Sequence, residues 1–155
     1  MSNSFSCWID YEFKSQYLDC EKNGLRLLFY KDIDVNIKNY IKKYISFLRK
    51  KYFFPIRCYI HITNNNSYHS HSGGRCYGVF FDDEETTNKY PSIYLPAKLA
   101  RNNDYFDVIY NLTKLLTYYY QWYFKETKSR AHRSLEIEAT KYASYLTFEY
   151  MNSVE

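Results

Sequence analysis

Glycine and proline are scarce in this chain of 155 residues, which contains four and three of them. Because residues that favour turns and disorder are so few, we do not expect long structureless linkers. Hydrophobic residues make up 46% of the chain and charged residues 25%, the balance of a globular protein. We therefore expect a single domain over residues 1–155. Residues 1–30, an N-terminal extension with the first strand, are described poorly by the patterns, and residues 31–155 form the core.

Long apolar runs are also missing, and no stretch approaches the 18 residues that would suggest a membrane span. The N-terminus, MSNSFSCWIDYEF, lacks the basic start and apolar run of a signal peptide. The four cysteines, Cys7, Cys20, Cys58 and Cys76, form no CxxC pair, which argues against zinc-knuckle and thioredoxin-type motifs. These features predict a cytoplasmic protein with no membrane segment and with reduced cysteines.

Aromatic residues are unusually frequent at 21%, including 20 tyrosines and 11 phenylalanines. Tyrosine packs as a hydrophobic side chain, but its hydroxyl requires water or a hydrogen-bonding partner. The net charge of +4 is mildly basic, and the pI of about 8.7 lies below the value of about 9 that is typical of nucleic-acid-binding domains. The charge therefore permits an acidic partner without requiring one.

Hydrophobic periodicity predicts an α+β fold with three main helices and a small, mostly antiparallel sheet. Asp34 is the expected N-cap of the first helix, which ends before Pro55. The other predicted helices cover residues 105–124 and 134–151. The predicted strands cover residues 25–30, 55–63, 75–81 and 92–95. A polar loop over 64–74 and an acidic turn over 82–89 separate the later strands.

The second and third helices carry a recognisable pattern, with LTKLLTYYYQW over residues 112–122 and EIEA over residues 136–139. The segment 57–151 resembles small gluzincin-like zinc metallopeptidase domains. In that family a strand block is followed by a helix reading roughly L-x-H-E-L-x-H-Y-x-Q, and a Glu-Ala step on the next helix supplies the third zinc ligand. The resemblance implies a zincin-like core over residues 31–155. The matching framework residues are Leu112, Leu116, Tyr119, Gln121 and Trp122.

The residues that would perform the family's chemistry are missing. Lys114 and Tyr118 stand where the two histidines would bind zinc, and Leu115 replaces the glutamate that activates water. Only Glu138, the match to the third ligand, remains, and one carboxylate cannot hold catalytic zinc. The resemblance therefore implies a pseudoenzyme with no metal and no cofactor. A salt bridge between Lys114 and Glu138 in the vacated site is a further expectation.

The function expected from this reading is non-enzymatic protein binding on an inactive metallopeptidase-like scaffold, because tyrosine is enriched in interface hot spots. Size and an AT-rich codon style suit a phage or mobile element. An inhibitor of a host defence protein, of the anti-CRISPR or anti-restriction type, is thus one form that the function could take. No single residue indicates that role. The candidate binding residues are Tyr40, Lys42, Lys43, Tyr44, Tyr119, Gln121 and Trp122.

Two alternatives stay open at this point. The first helix could bind nucleic acid. Its basic residues would contact phosphates and its tyrosines would stack on bases: Lys38, Lys42, Lys43, Arg49, Lys50 and Lys51, and Tyr40, Tyr44 and Tyr52. The second alternative is an unrecognised residual enzyme activity that depends on Glu138. The His69-Ser70-His71 step lies in a polar loop and is interpreted as solvated rather than metal-binding.

Overall fold

The computed structural model describes residues 8–10, 24–70, 73–86, 89–125 and 130–154. Most of the N-terminal extension lies outside these ranges, as do Cys7, Cys20 and His71. Within them, the helices are α1 (Val35–Lys51), α2 (Tyr105–Tyr123) and α3 (His132–Ser153). The strands of the same ranges are β1 (Leu25–Phe29), β2 (Cys58–Thr63), β3 (Tyr68–His69), β4 (Arg75–Cys76), β5 (Val79–Phe81) and β6 (Ser92–Pro96). The predicted α+β class with three main helices is confirmed.

Side-chain caps set where the first two helices begin. The Asp34 carboxylate accepts the backbone N–H groups of Asn36 and Ile37 at 2.7 and 3.4 Å, as its predicted role as N-cap requires. Asp104 and Asp107 form a reciprocal capping box at the start of α2. These caps satisfy backbone donors that the first turn of a helix leaves unpaired.

The main sheet is mixed, which corrects the expectation of a mostly antiparallel one. Its strand order is β1-β2-β6-β5, with β1–β2 and β2–β6 parallel and β5–β6 antiparallel. Helix α1 carries the chain back along the sheet between β1 and β2, and such a crossover makes consecutive strands parallel. Helical and strand periodicity alone does not reveal strand direction, so the pattern missed this feature.

The predicted strand over 75–81 is interrupted at Tyr77 and Gly78. Its first part, β4, forms a small antiparallel sheet with β3, which lies inside the predicted polar loop. Its second part, β5, joins the main sheet. Gly78 has a φ of +142°, which L side chains rarely adopt. The glycine therefore allows the chain to leave one sheet and enter the other.

The core lies on one side of the main sheet, beneath α1 and α2. Alternate strand residues face it and are fully buried, as the period of two predicts: Cys58, Ile60, Ile62, Ile93 and Leu95. They pack against the apolar stripe of α1, which includes Ile37, Ile41 and Leu48, and against α2. Helix α3 packs along α2, and its apolar stripe from Leu135 to Tyr150 is buried.

Buried tyrosines explain part of the unusual composition. The hydroxyls of Tyr119 and Tyr120 each donate to a backbone carbonyl, of Ile56 and Phe53, at 2.5 Å. The Tyr44 hydroxyl is hydrogen bonded to Thr113. Each partner satisfies a polar group that would otherwise be costly to bury. Several tyrosines therefore serve the core and are not available to a partner.

Trp8 anchors the described piece of the N-terminal extension in this aromatic core. It is 3% exposed, and its indole N–H donates to Thr117 at 3.1 Å. Its ring packs at 4.8 Å from the Tyr120 ring and at 5.7 Å from the Tyr142 ring, measured between centroids. Residues before the first strand thus contribute to the core, which the sequence patterns did not predict.

Replacing Gly78 with alanine should destabilise the fold. The added Cβ would lie 2.5 Å from Cδ1 of Leu115, on a backbone with positive φ. We expect a loss of about 2–4 kcal/mol in the free energy of unfolding. This would lower Tm by roughly 2–4 °C for each kcal/mol in a domain of this size, measured by thermal denaturation.

The matched control for this change is Gly73→Ala. Gly73 has a φ of +90°, but no atom lies within 4 Å of the added Cβ, so the control isolates backbone strain. It should cost about 1 kcal/mol. Equal losses of stability in the two variants would contradict the close packing of β5 against α2.

Candidate functional site

The positions that match a metallopeptidase site lie on α2 and α3, but they do not form a metal site. Lys114 and Tyr118 are half-buried on α2, and Leu115 is buried at 4% exposure. Burial, with a smaller contribution from the Glu136 carboxylate, raises the pKa of Tyr118, so its phenol stays protonated and is a poor metal ligand. No group of three His, Cys, Asp or Glu side chains in the described ranges could hold a metal ion.

Glu138 does face α2, but its partners differ from the expected one. Its carboxylate accepts from Nη1 of Arg130 and from Nε2 of Gln121, both at 2.8 Å. The expected salt bridge with Lys114 is not formed, and that expectation was wrong. Gln121 lies seven residues beyond Lys114, which is about 10 Å along a helix axis. Glu138 is therefore opposite the far end of the motif.

The surface beside Glu138 is now basic. A depression of about 480 Å³ at the start of α3 is lined by Glu138 and by three cationic side chains, those of Arg130, Arg133 and Lys141. Positive charges around a single carboxylate disfavour a bound cation. The electrostatics at this position thus oppose the chemistry that the family pattern would require.

Burial corrects part of the predicted binding set. Tyr44, Tyr119 and Gln121 are fully buried and cannot contact a partner in this structure. Tyr40 is half-buried and donates to the sulfur of Met151 at 3.2 Å, and Trp122 is half-buried beside Phe80, with ring centroids 6.2 Å apart.

Lys42 and Lys43 are exposed, as expected of a basic helix face. The Lys42 ammonium lies 5.7 Å from the centroid of the Phe29 ring. Of the tyrosines that were expected to stack on bases, Tyr44 is buried and Tyr40 is held against Met151. Tyr52 is half-buried, with its ring centroid 5.0 Å from that of Trp8. This helix therefore offers positive charge without an accessible stacking platform.

The other face of the main sheet is a different kind of surface, which we call the open face. No helix of the described ranges covers it. Leu28 and Tyr30, at the β1 edge, are 41% and 45% exposed. The side chains that point to the open face are Arg26, Leu28, Tyr30, Arg57, Tyr59, His61, Val79, Phe81, Ser92 and Tyr94.

Aromatic rings form a row across the open face. The ring of His61 on β2 is stacked on that of Tyr94 on β6, with centroids 4.3 Å apart and planes at 4°. Tyr30 meets His61 edge-on at 5.9 Å, and Phe81 meets Tyr94 edge-on at 5.8 Å. Such cross-strand pairs are favourable and hold the rings in fixed positions. The face is therefore a preorganised aromatic surface.

The centre of this row is uncharged at neutral pH. Burial lowers the pKa of His61, so its imidazole is neutral. The Tyr30 hydroxyl lies 3.0 Å from Nδ1 of His61 and donates to it when the ring proton is on Nε2. Burial, and then the neighbouring Tyr94, raise the pKa of Tyr30, which keeps the hydroxyl protonated.

A pocket of about 490 Å³ lies beside this row. Its walls include the aromatic side chains His61, Tyr68, Phe81 and Tyr94, and Glu85 lies among the polar residues of its lining. The Tyr68 hydroxyl is hydrogen bonded to Thr63 at 2.5 Å, which fixes the ring. The size is within the range of ligand pockets.

The acidic turn after β5 positions Glu85. Oδ1 of Asp82 accepts the backbone N–H groups of Glu84 and Glu85, each at 3.0 Å. Oε1 of Glu85 in turn accepts the backbone N–H of Asp82 at 3.0 Å. The sequence predicted only an exposed turn here. These hydrogen bonds in opposite directions give the segment a defined shape.

Sequence alone shows no partner for His61, and its place in the row was missed. Strand alternation did put Arg57, Tyr59 and His61 on the outward side of β2. What sequence lacks is the cross-strand register, which sets Tyr94 against both His61 and Val79. A one-residue shift in register would have turned Tyr94 to the core.

No family model, curated protein or solved structure matches the chain in comparisons with known proteins. No helix of the described residues is long and apolar enough to cross a membrane. The family resemblance of α2 and α3 thus stays a prediction.

Proposed function

We propose that the chain is a non-enzymatic protein-binding module on a degenerate metallopeptidase-like scaffold, and that it binds its partner through the open face. The observation that supports this most is the row of ordered rings from Tyr30 to Phe81 on a sheet face that no described helix covers. Rigid aromatic side chains that are already ordered bind with little loss of conformational entropy. An inhibitor of a host defence protein is one function of this kind.

The residues at the positions of the family's ligands support the non-enzymatic part of the proposal. Lys114, Leu115 and Tyr118 occupy the positions of two ligands and a general base, and the surface at Glu138 carries three cations. The close packing of α3 on α2, with Glu138 turned towards Gln121, supports the scaffold part, because the family pattern requires the third ligand to face the motif helix.

A protein partner fits the charges of the open face better than a nucleic acid does. The acidic turn 82–85 lies at the edge of the pocket and would repel phosphates. Arg57, at the other side of the face, lies with its guanidinium 5.4 Å from the centroid of the Tyr90 ring. A surface with charges of both signs around aromatic rings is typical of protein interfaces.

Replacing Tyr30 with alanine should weaken partner binding. In affinity capture from a lysate of the source host, we expect at least about a tenfold lower yield of the partner than with the unchanged chain, the scale of a hot-spot residue. The matched control is Phe148→Ala, which removes a 65% exposed ring from α3, outside the open face. Thermal denaturation should show that both variants are folded.

Loss of the partner in the Phe148→Ala variant, with capture intact for Tyr30→Ala, would contradict the proposed surface. Capture that disappears after nuclease treatment, or that falls steeply with salt, would point to nucleic acid in place of a protein.

Metal analysis tests whether the metallopeptidase-like scaffold lacks a zinc site. The untagged chain, incubated with Zn²⁺ and desalted, should retain less than about 0.1 zinc per chain, because two of the three protein ligands that a catalytic zinc site needs are missing. The double variant Lys114→His, Tyr118→His restores two imidazoles at i and i+4 and should gain zinc affinity by at least about tenfold. One tightly held zinc in the unchanged chain would contradict the loss of the site, and no gain in the variant would argue against the family resemblance.

A further inference from the structure

We propose that the pocket of the open face receives an arginine side chain of the partner protein, with Glu85 pairing the guanidinium and the aromatic walls packing against it. This inference rests on the proposed function, because it names the group that the protein partner presents to the open face.

The walls have the composition that a guanidinium prefers. Three aromatic rings other than histidine contribute to them, those of Tyr68, Phe81 and Tyr94. Arginine packs on aromatic faces because its planar cation is weakly hydrated and is attracted by the ring quadrupole. Phe81 and Tyr94 contact each other edge-on, with centroids 5.8 Å apart, so together they form a continuous aromatic wall of the pocket. Hydrogen bonding of Tyr68 to Thr63 keeps the third ring in place.

The charge of the lining is negative. Glu85 is its one carboxylate, and no lysine or arginine is among the residues that line it in the described ranges. The imidazole of His61 adds no positive charge, because burial lowers its pKa. Asp82, Asp83 and Glu84 lie in the same turn and add to the negative potential. An anionic ligand such as a phosphate would find no cationic partner in this lining.

Glu85 is also held ready to bind. Its Oε1 is occupied by the Asp82 N–H, and Oε2 makes no hydrogen bond to a described residue. One carboxylate oxygen thus fixes the side chain while the other stays available for an N–H of the guanidinium. A carboxylate that is already ordered loses less entropy when it forms such a charge-assisted bond.

Short peptides test the inference without the natural partner. The probe is acetyl-Ser-Gly-Arg-Gly-Ser-amide, and the same peptide with citrulline supplies an uncharged analogue of nearly the same shape. Binding to the full chain is followed by NMR, using the ring signals of His61, Phe81 and Tyr94. We expect saturable shifts of these signals with the arginine peptide, and affinity at least about fivefold weaker for citrulline.

Variants then locate the contact. Glu85→Gln keeps the side-chain oxygen that accepts the Asp82 N–H but removes the charge. It should lower the affinity for the arginine peptide by about fivefold. Tyr94→Leu should lower the affinity for the arginine peptide by at least as much. The matched control is Glu84→Gln, which removes the same charge from the neighbouring residue of the turn, outside the pocket lining, and should change affinity by less than about twofold.

Equal weakening by Glu84→Gln and Glu85→Gln, or equal affinity for arginine and citrulline, would overturn the inference. So would displacement of the peptide by a fifteen-residue oligothymidylate, which would make the surface a nucleic-acid site. If the peptide fails while Tyr30→Ala still loses the partner, only this inference fails. If the Tyr30→Ala variant captures as much partner as the unchanged chain, the proposed function fails, whether or not the peptide binds.

Discussion

The coverage of the main sheet on one side only is the constraint on which the rest of the structure depends. Each strand alternates between buried and outward residues, so one face, with Ile60, Ile62 and Ile93, packs beneath α1 and α2. The same alternation turns His61, Tyr94 and Tyr30 away from the core. Since two helices are enough to bury the apolar face, the second face is free to carry function. This second face carries more aromatic side chains than a solvated sheet surface requires.

Helix α2 connects the core to both candidate sites. Its buried tyrosines bond to carbonyls of the segment before β2, and Leu115 lies against Gly78 at the turn into β5. In the family pattern the position of Leu115 would hold a general base. Here it is an apolar contact that supports the edge of the sheet from which Val79 and Phe81 reach the open face. The helix that carries the predicted metallopeptidase pattern thus also supports the strand edge of the aromatic surface.

Most of the elements follow from the sequence alone. The N-cap at Asp34, the three helices and the strand that contains β2 were predicted, because local periodicity and capping are encoded within a few residues. Strand direction and the β3–β4 pairing were not, because they depend on contacts between distant segments. The candidate site was missed for the same reason. His61, Phe81 and Tyr94 come together only through the register of three strands, and burial removed Tyr44, Tyr119 and Gln121 from the expected binding set.

Hydroxyl-radical footprinting of the free chain tests most directly whether the open face is available to a partner. Tyr30 and Tyr145 are both 45% exposed, so Tyr145 on α3 supplies an internal reference of the same residue type. An open sheet face predicts that Tyr30 is oxidised about as fast as Tyr145, while the buried Tyr44, Tyr119 and Tyr142 react far more slowly. Protection of Tyr30 in the free chain to the level of those buried tyrosines would contradict a binding surface at this face.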